Sequence, residues 1–426
     1  MRRDLATTFI TEAAVILSYL LTFRLVAVHL GVSGFGEYSL SRRTLSLLLP
    51  LGLLGLDVGI ARYVSYASAE RSPRTAGYPA AGLLLVAAGV GVVSAVLLAF
   101  SGFWAGVFFG SSKYVSLIFA LPLAMAGAGL HVVAYGYLRG LARIQWANVL
   151  MAANYAVVPL LAIVFFGGSA ASIIAAMGIG WIAVSVVPLI RLPLSTEDFR
   201  ARIRELARFG VPRVPGDVFQ LGLFAAPGIL VAHEADIRLA GIVAFGIAAL
   251  GMIGSALTPV SFVLLPVAAR MLASGSVVKL RTSVVEVVAI TLAGTVVLVL
   301  LLEVFAGTIV DAYLGPGFSG GVGVLRLTLL AALPFTLRSV IDAKHVLPVN
   351  ARNMIITFAT FAILTVILRS FVDPTHAPLV AFVVSIYVLA ILTLIEVYRI
   401  TRTGAPGQVP EAVTPELTAG WWGRVV

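Results

Sequence analysis

The chain has 426 residues, of which 60% are hydrophobic and only 11% are charged, and its mean hydropathy is +1.06. Soluble domains contain about 25% charged residues, so this composition excludes a soluble globular protein. The chain has no cysteine, which excludes disulfides, cysteine-ligated metals and thiol catalysis. The net charge of +10 would suggest a nucleic-acid partner in a soluble protein. Here we expect no nucleic acid and explain the charge by membrane topology.

Apolar runs of about 20 residues recur along the chain, which is the length that crosses a bilayer core of about 30 Å. The first run follows Met1-Arg2-Arg3 without a small-residue cleavage site, so we expect it to be retained. The fold class predicted is an all-α polytopic membrane protein with about 12 transmembrane helices. The predicted spans are 7–30, 39–64, 79–100, 115–138, 146–166, 171–190, 211–232, 239–265, 284–310, 321–337, 353–371 and 378–398.

Basic residues are distributed very unevenly between the two sets of loops. If the N-terminus is cytoplasmic, 21 of the 29 Lys and Arg residues fall inside and two, Lys113 and Arg238, fall outside. Positive charge is retained on the cytoplasmic side of membrane proteins. The sequence therefore predicts a multi-pass protein of the cytoplasmic membrane with both termini inside.

The two halves of the chain share features at a spacing of 205 residues. Gly36 matches Gly241, and Gly110 matches Gly315, each close to a predicted outside loop. This spacing predicts two six-helix lobes related by an axis along the membrane normal, with a central cavity between them. The predicted parts are an N-terminal lobe (1–190), a basic amphipathic connector (191–210), a C-terminal lobe (211–398) and a cytoplasmic tail (399–426).

Arginines inside the predicted spans are the first candidates for a binding site, since a buried charge costs roughly 2.5–3.5 kcal/mol or more. Arg24 lies in the first span and Arg42 and Arg43 lie in the second, so antiparallel packing places all three at a similar depth in the outer half. Arginine presents a planar fork that matches phosphate oxygens. Arg24, Arg42 and Arg43 are therefore candidate substrate ligands. The alternative is that their side chains snorkel to the outer interface. For Arg326, in span ten, the same two interpretations stay open.

The other charged residues in the spans are candidates for a structural ion pair or for coupling to an ion. Arg213 and Asp217 are four residues apart at the start of span seven, and this spacing favours a structural ion pair. Acidic residues in the spans are the candidates for coupling to an ion, Na⁺ or H⁺, whose identity the sequence leaves unknown. They are Glu12, Asp57, Glu286, Glu303 and, more weakly, Glu396.

Motifs for cofactors are missing from the sequence. There is no Gly-rich loop ending in Lys-Ser/Thr, and the five histidines do not have the spacing of metal ligands. We expect no cofactor and no metal, and no enzymatic activity, because only short loops would be available for catalysis.

Several stretches resemble one known family. Residues 30–40 (LGVSGFGEYSL) and 52–65 (GLLGLDVGIARYVS), followed by ELARFGVPRVPGD, AGIVAFGIAAL, FVLLPVAARML and YLGPGFSGGVGVLRL, are similar to the polysaccharide or lipid-linked oligosaccharide flippases. These belong to the multidrug/oligosaccharidyl-lipid/polysaccharide (MOP) exporter superfamily. The likeness extends over nearly the whole chain, and the order and spacing of the motifs carry it.

The resemblance implies two six-helix lobes that alternate between inward-open and outward-open states. It implies a polyprenyl-diphosphate-linked oligosaccharide as substrate, held by basic cavity residues that match Arg24, Arg42 and Arg43. Membrane lipids would surround the protein, and a glycan polymerase or glycosyltransferases would be its partners. Two alternatives stay open: a multidrug or cation antiporter of the same superfamily, and a polyprenyl-dependent membrane glycosyltransferase. A structural membrane protein is a further alternative.

Overall fold

The computed structural model describes residues 2–70, 73–192, 194–195, 198–256, 277–332 and 349–402. Within these ranges all regular secondary structure is helical. The first half of the chain contains α1 Arg2–Leu53, α2 Leu56–Ala69, α3 Gly77–Ala99, α4 Ser101–Phe109, α5 Val115–Gly140, α6 Ile144–Ala152, α7 Val158–Phe166 and α8 Ala170–Leu189. A π-helical turn, Ala153–Val157, joins α6 to α7 just before Pro159.

The second half follows a short connecting helix, α9 Phe199–Gly210, and the 3₁₀ turn Val211–Arg213. Its helices are α10 Val214–Glu234, α11 Ile237–Ala256, α12 Val277–Tyr313, α13 Val322–Leu329, α14 Val349–Leu368 and α15 Ala377–Arg402. Helix α13 continues into the 3₁₀ turn Leu330–Ala332. The ends of the predicted spans eight and ten (257–265 and 333–337) lie outside the described residues.

Helix α1 consists of two antiparallel arms, residues 2–30 and 32–53, because Gly31 has a non-helical backbone with φ 63° and ψ −167°. Eight helical stretches, of which α1 is one, are long and apolar enough to cross a membrane. Three shorter apolar helices, Ile237–Gly251, Pro316–Ala332 and Arg352–Leu368, fall on predicted spans eight, ten and eleven. With the arms of α1 counted separately, the described helices agree with about twelve spans. The predicted fold class is confirmed.

One boundary of the sequence prediction differs from the structure. The second span was expected to start at residue 39, but the second arm of α1 is already helical from residue 32. Its glycines are used for close packing within a helix and not for a loop. Helix α9 begins at Phe199, with Asp198 in the N-cap position.

For orientation, the Gly31 end of the bundle carries Gly31 and the loops at 110–114, 167–169, 235–236, 314–321 and 369–376. The Gly55 end carries the break at Leu54-Gly55, the connector α9 and the loops at 140–143, 190–192 and 194–195. In the first half, the described loops alternate between the two ends along the chain, as expected for a polytopic membrane protein.

The two halves come into direct backbone contact near the Gly31 end. A Cβ atom built on Gly241 would lie 2.2 Å from Gly36 Cα, and one built on Gly36 would lie 2.1 Å from the carbonyl oxygen of Ile237. Gly36 and Gly241 are the residues that the internal repeat relates. Residues that a twofold axis relates touch each other only near that axis, so the predicted repeat would place its axis at this contact. The division into two related lobes stays a prediction.

The connector α9 is fixed to the first half at the Gly55 end. The Arg202 guanidinium donates to Glu205 Oε2 at 2.7 Å and to the Tyr78 hydroxyl at 3.0 Å, and Tyr78 donates to the same Glu205 oxygen at 2.8 Å. At the end of α9, Gly210 packs against the backbone of Leu54 and Gly55. The opposite face of α9 exposes Arg200, Arg204 and Arg208, so the helix is amphipathic as predicted.

The backbone contact between the halves at Gly36 can be tested by comparing Gly36→Ala with Gly91→Ala. A methyl group at Gly36 would overlap the backbone of α11, whereas a Cβ on Gly91 would have nothing within 4 Å. Overpacking of this kind typically costs about 1–3 kcal/mol. We expect Gly36→Ala to lower the thermal unfolding midpoint of the purified protein and Gly91→Ala, in helix α3, to leave it equal or higher. Equal unfolding midpoints for the two variants would contradict this close contact between the halves.

Candidate substrate site between the halves

Arg42, on the second arm of α1, is buried with an exposed fraction of 3%. Its guanidinium lies over the ring of Tyr19, 5.0 Å from the centroid, and Nη1 donates to the Tyr38 hydroxyl at 3.2 Å. Its Nε and Nη2 atoms have no hydrogen-bond partner among the described residues. Arg42 is therefore held by aromatic rings and one hydroxyl, which offset its charge only partly.

Arg43, the next residue, points toward the other half. Its exposed fraction is 4%, and Nε donates to the carbonyl oxygen of Ala244 in α11 at 3.4 Å. Its Nη2 atom is buried without a hydrogen-bond partner in the described part of the chain. The contact with Ala244 puts Arg43 at the junction of the two halves.

Arg24, on the first arm, also reaches across this junction. Its Nη1 atom donates to the carbonyl oxygen of Tyr313, at the end of α12, at 2.5 Å. In the reverse direction the Tyr313 hydroxyl donates to the carbonyl oxygen of Leu20. Bonds from a charged donor are roughly twice as strong as those between neutral groups. This reciprocal pair fastens α12 to the first arm of α1.

An aromatic cluster fills the space next to these arginines. Phe23, Phe35 and Tyr38 come from α1, whereas Phe245, Tyr313 and Phe318 come from the second half. The Phe35 centroid lies 5.0 Å from that of Phe318, and Phe23 lies 5.2 Å from Phe245. Tyr313 stacks on Phe245 at 6.0 Å. The cluster packs the two halves against each other in the part of the bundle nearer the Gly31 end.

A second contact between the halves would be the counterpart of the first under the predicted internal repeat. His233, at the end of α10, has Nε2 2.9 Å from the carbonyl oxygen of Val107 in α4. A spacing of 205 residues takes Val107 to 312, next to Tyr313, and takes His233 back to 28, one helical turn after Arg24. Each half thus uses a basic side chain near the end of its first helix to bind a main-chain carbonyl of the other half.

The acidic residues of the spans lie elsewhere and several of them meet arginines. Glu303 Oε2 is 3.8 Å from Arg326 Nε. Glu396 Oε2 lies 3.7 Å from Arg352 and 3.6 Å from Arg399. Arg326 therefore joins an ion pair within the second half, away from Arg24, Arg42 and Arg43.

The remaining candidates for ion coupling are scattered. Glu12 is partly buried and lies near Arg139. Glu286 is exposed on α12, and Asp57 is partly buried at the start of α2. Among the described residues no group of three or more His, Asp or Glu side chains has the arrangement of a metal site. The role of all these residues in ion coupling stays a prediction.

Arg213 and Asp217 flank the start of α10, and their pairing also stays a prediction. The Arg213 guanidinium lies 4.1 Å from the ring centroid of Phe209, the last aromatic residue of α9. The contact ties the connector to the first turn of the second half.

A buried polar network in the first half was missed by the sequence reasoning. Asn154, in the π-helical turn, has Nδ2 2.8 Å from His131 Nδ1 and 3.0 Å from Ser185 Oγ. Its carbonyl oxygen accepts from Trp181 Nε1 at 2.7 Å. A π-turn inside a helix frequently marks a functional position. The Pro159 that follows was the available signal, because proline removes a backbone donor.

The fold is that of a multi-pass membrane protein, and several solved transporter structures share its architecture. One is an inward-facing multidrug resistance MATE family transporter of the MOP superfamily (TM-score 0.74, 14% identity, 92% of this chain and 96% of that chain covered). Another is a MOP superfamily transporter from Pyrococcus furiosus, whose description reports reverse polarity of its binding pocket (0.64, 15%, 93% and 95%). An outward-facing MATE family transporter matches at 0.59, with 15% identity and 92% and 96% covered.

The profile of one sequence family, described as polysaccharide biosynthesis protein, matches residues 5–272. This is more than half of the chain, and the chain belongs to the polysaccharide biosynthesis protein family. The resemblance to a polysaccharide family, inferred from the sequence motifs, is thereby confirmed at the level of the family. No curated protein matches the chain.

The fastening by Arg24 can be tested with two spin labels, at Gly168→Cys in the first half and Gly320→Cys in the second. Both positions are exposed with open space around them, and the chain has no other cysteine. Arg24→Ala removes the donor to Tyr313, so we expect a larger share of long label distances in double electron–electron resonance.

The matched control is Arg369→Ala. Arg369 pairs with Glu234, but both residues belong to the second half, so its loss should leave the distances between the halves unchanged. Identical distance distributions for the parent and Arg24→Ala would show that Arg24 does not fasten the halves.

Proposed function

We propose that the protein is a flippase that translocates a polyprenyl-diphosphate-linked oligosaccharide across the cytoplasmic membrane by alternating access. Membership of the polysaccharide biosynthesis protein family supports a role in glycan assembly. A glycan headgroup cannot cross hydrocarbon unaided, and its diphosphate carries charge that needs a polar path.

The observation that carries the proposal is the polarity of the junction. Within the described residues, Arg24, Arg42 and Arg43 have no carboxylate within 4.0 Å, whereas Glu303 and Glu396 are paired with arginines. Among the described residues, the charge left over at the junction is therefore positive. Positive groups suit an anionic lipid diphosphate, and guanidinium groups stay protonated throughout a transport cycle.

The contacts at the Gly31 end support a specific step of the cycle. We place this end outside, so that the halves are closed toward the outside and the state is inward-facing. The higher TM-score to the inward-facing than to the outward-facing MATE structure is consistent with this assignment. A diphosphate arriving in the cavity would compete with the Tyr313 carbonyl for Arg24, which is only partly buried, because an anion binds a guanidinium more strongly than a neutral carbonyl does. Substrate binding would then loosen the closed end.

A multidrug or cation antiporter is the second candidate, because the solved structures with the same fold include multidrug transporters. Such a transporter would need acidic residues that are free to bind cations. The pairing of Glu303 and Glu396 with arginines argues against it. We further propose that transport is coupled to Na⁺ or H⁺, that no enzymatic step is involved, and that the protein works with glycosyltransferases or a glycan polymerase.

The function is tested by translocation of polyprenyl-diphosphate-linked glycan in vesicles containing the purified protein. We expect transport by the parent. We expect partial transport by Arg24→Lys, which keeps the positive charge but loses the planar guanidinium that can bind two phosphate oxygens at once. Arg24→Ala and the double variant Arg42→Ala/Arg43→Ala should reduce transport at least tenfold. Expression and melting temperature are measured in parallel.

Arg204→Ala is the matched control, since Arg204 is exposed on α9 and lies far along the chain from the junction. It should transport like the parent. Glycan transport by the Ala variants at the parental rate would refute the site. Absence of glycan transport by the parent, together with efflux of a fluorescent cation, would favour the antiporter.

The proposed orientation is tested separately with single cysteines at Ser112, Ala235 and Thr375, all in loops at the Gly31 end. They should react with a membrane-impermeant thiol reagent added to intact cells. A cysteine at Arg204, at the Gly55 end, should react only after the cells are opened. The reverse pattern would overturn the orientation.

A further inference from the structure

The turn of α1 that carries Arg42 and Arg43 contains many buried polar atoms without a partner. Seven such atoms lie on residues 22 and 39–44, counted within the described part of the chain. Three are guanidinium nitrogens, namely Nε and Nη2 of Arg42 and Nη2 of Arg43, and four are hydroxyl oxygens, of Thr22, Ser39, Ser41 and Thr44. Buried polar groups are normally hydrogen-bonded, so a concentration of unpartnered donors needs an explanation.

The positive charges of Arg42 and Arg43 are also only partly compensated. The two guanidinium groups are close enough to repel each other, and no described carboxylate lies within 4.0 Å of either. Arginine cannot relieve the cost by losing its proton. The rings of Tyr19 and Tyr38 offset part of the charge of Arg42 but accept nothing from its Nε and Nη2.

A negative ion would supply both the missing acceptor and the missing charge. The exposed fractions of 3% and 4% exclude a glycan-bearing headgroup from these atoms while the halves are closed. A halide ion is small, and it accepts N–H and O–H donors from any direction. We propose that Arg42 and Arg43 hold a small inorganic anion of the chloride type when the halves are closed at the Gly31 end.

This site is independent of what the protein transports. If the proposed function also holds, the resident anion is what the diphosphate replaces when the halves separate, and that link alone rests on the proposed function. The experiment below contains no glycan, so its failure would leave the flippase proposal untouched.

The test measures anion binding by the purified full-length protein in detergent. Thermal unfolding is followed by the fluorescence of the five tryptophans at constant ionic strength, with sodium gluconate replaced stepwise by chloride, bromide or phosphate. A ligand that binds only the folded state raises the unfolding midpoint. We expect a saturable rise of several degrees in chloride and in bromide, and none in phosphate.

Arg42→Gln removes the charge that the anion neutralises. We expect this variant to lose the response to chloride and, in gluconate, to be at least as stable as the parent, because the uncompensated charge is gone. Arg204→Gln, on the exposed face of α9, should respond to chloride like the parent. Arg43→Gln serves in the same way if Arg42→Gln does not yield folded protein.

Retention of radioactive chloride by the parent after rapid desalting gives the stoichiometry directly, and about one ion per chain is expected. Equal unfolding midpoints of the parent in chloride and gluconate would overturn the site. A full chloride response in both Arg42→Gln and Arg43→Gln would do the same. A response to phosphate in place of chloride would overturn the small-ion assignment and indicate a site for phosphate groups. Failure to retain chloride at saturation would likewise count against the proposal.

Discussion

The structure depends on one constraint: positive charge is buried where two apolar halves meet. A charged group in the middle of a membrane costs several kcal/mol unless it finds a partner. Arg24 and Arg43 find one in main-chain carbonyls of the opposite half, and Arg42 finds aromatic rings and a hydroxyl. Separation of the halves would deprive two of these arginines of their partners. The charge that a substrate would meet is therefore also what fastens the closed end.

Contacts of the same kind occur at two places that the predicted internal repeat relates. Gly36 and Gly241 touch at the junction, and on either side of them a basic side chain of one half binds a carbonyl of the other. The two contacts differ in chemistry, since Arg24 binds through a guanidinium group and His233 through an imidazole nitrogen. Under the predicted repeat, two chemically unlike contacts lie at equivalent places. We infer that opening of this end requires both to break.

Close approach of backbones is the second theme of the packing. Helices in lipid gain little from hydrophobic association and associate through small residues that allow dense contact. Gly36 against Ile237, Gly127 against Gly178 and Gly210 against Leu54 are examples in which a side chain would collide with a carbonyl oxygen. The last of these joins the connector to the break between α1 and α2. Motion of the second half is thereby anchored to a fixed point on the first.

The sequence by itself determined the polytopic helical class, about twelve spans and the family, because apolar length and the order of glycine motifs are local properties. It also singled out Arg24, Arg42 and Arg43, since charge in an apolar run is visible without a structure. Only the tertiary structure decided their partners: the carbonyls of Tyr313 and Ala244 are some 290 and 200 residues away in the chain and carry no side-chain signal. The same holds for Arg326, whose pairing with Glu303 depends on how α12 packs on α13. Main-chain acceptors and helix packing are properties of the folded chain, and no pattern of residue types specifies them.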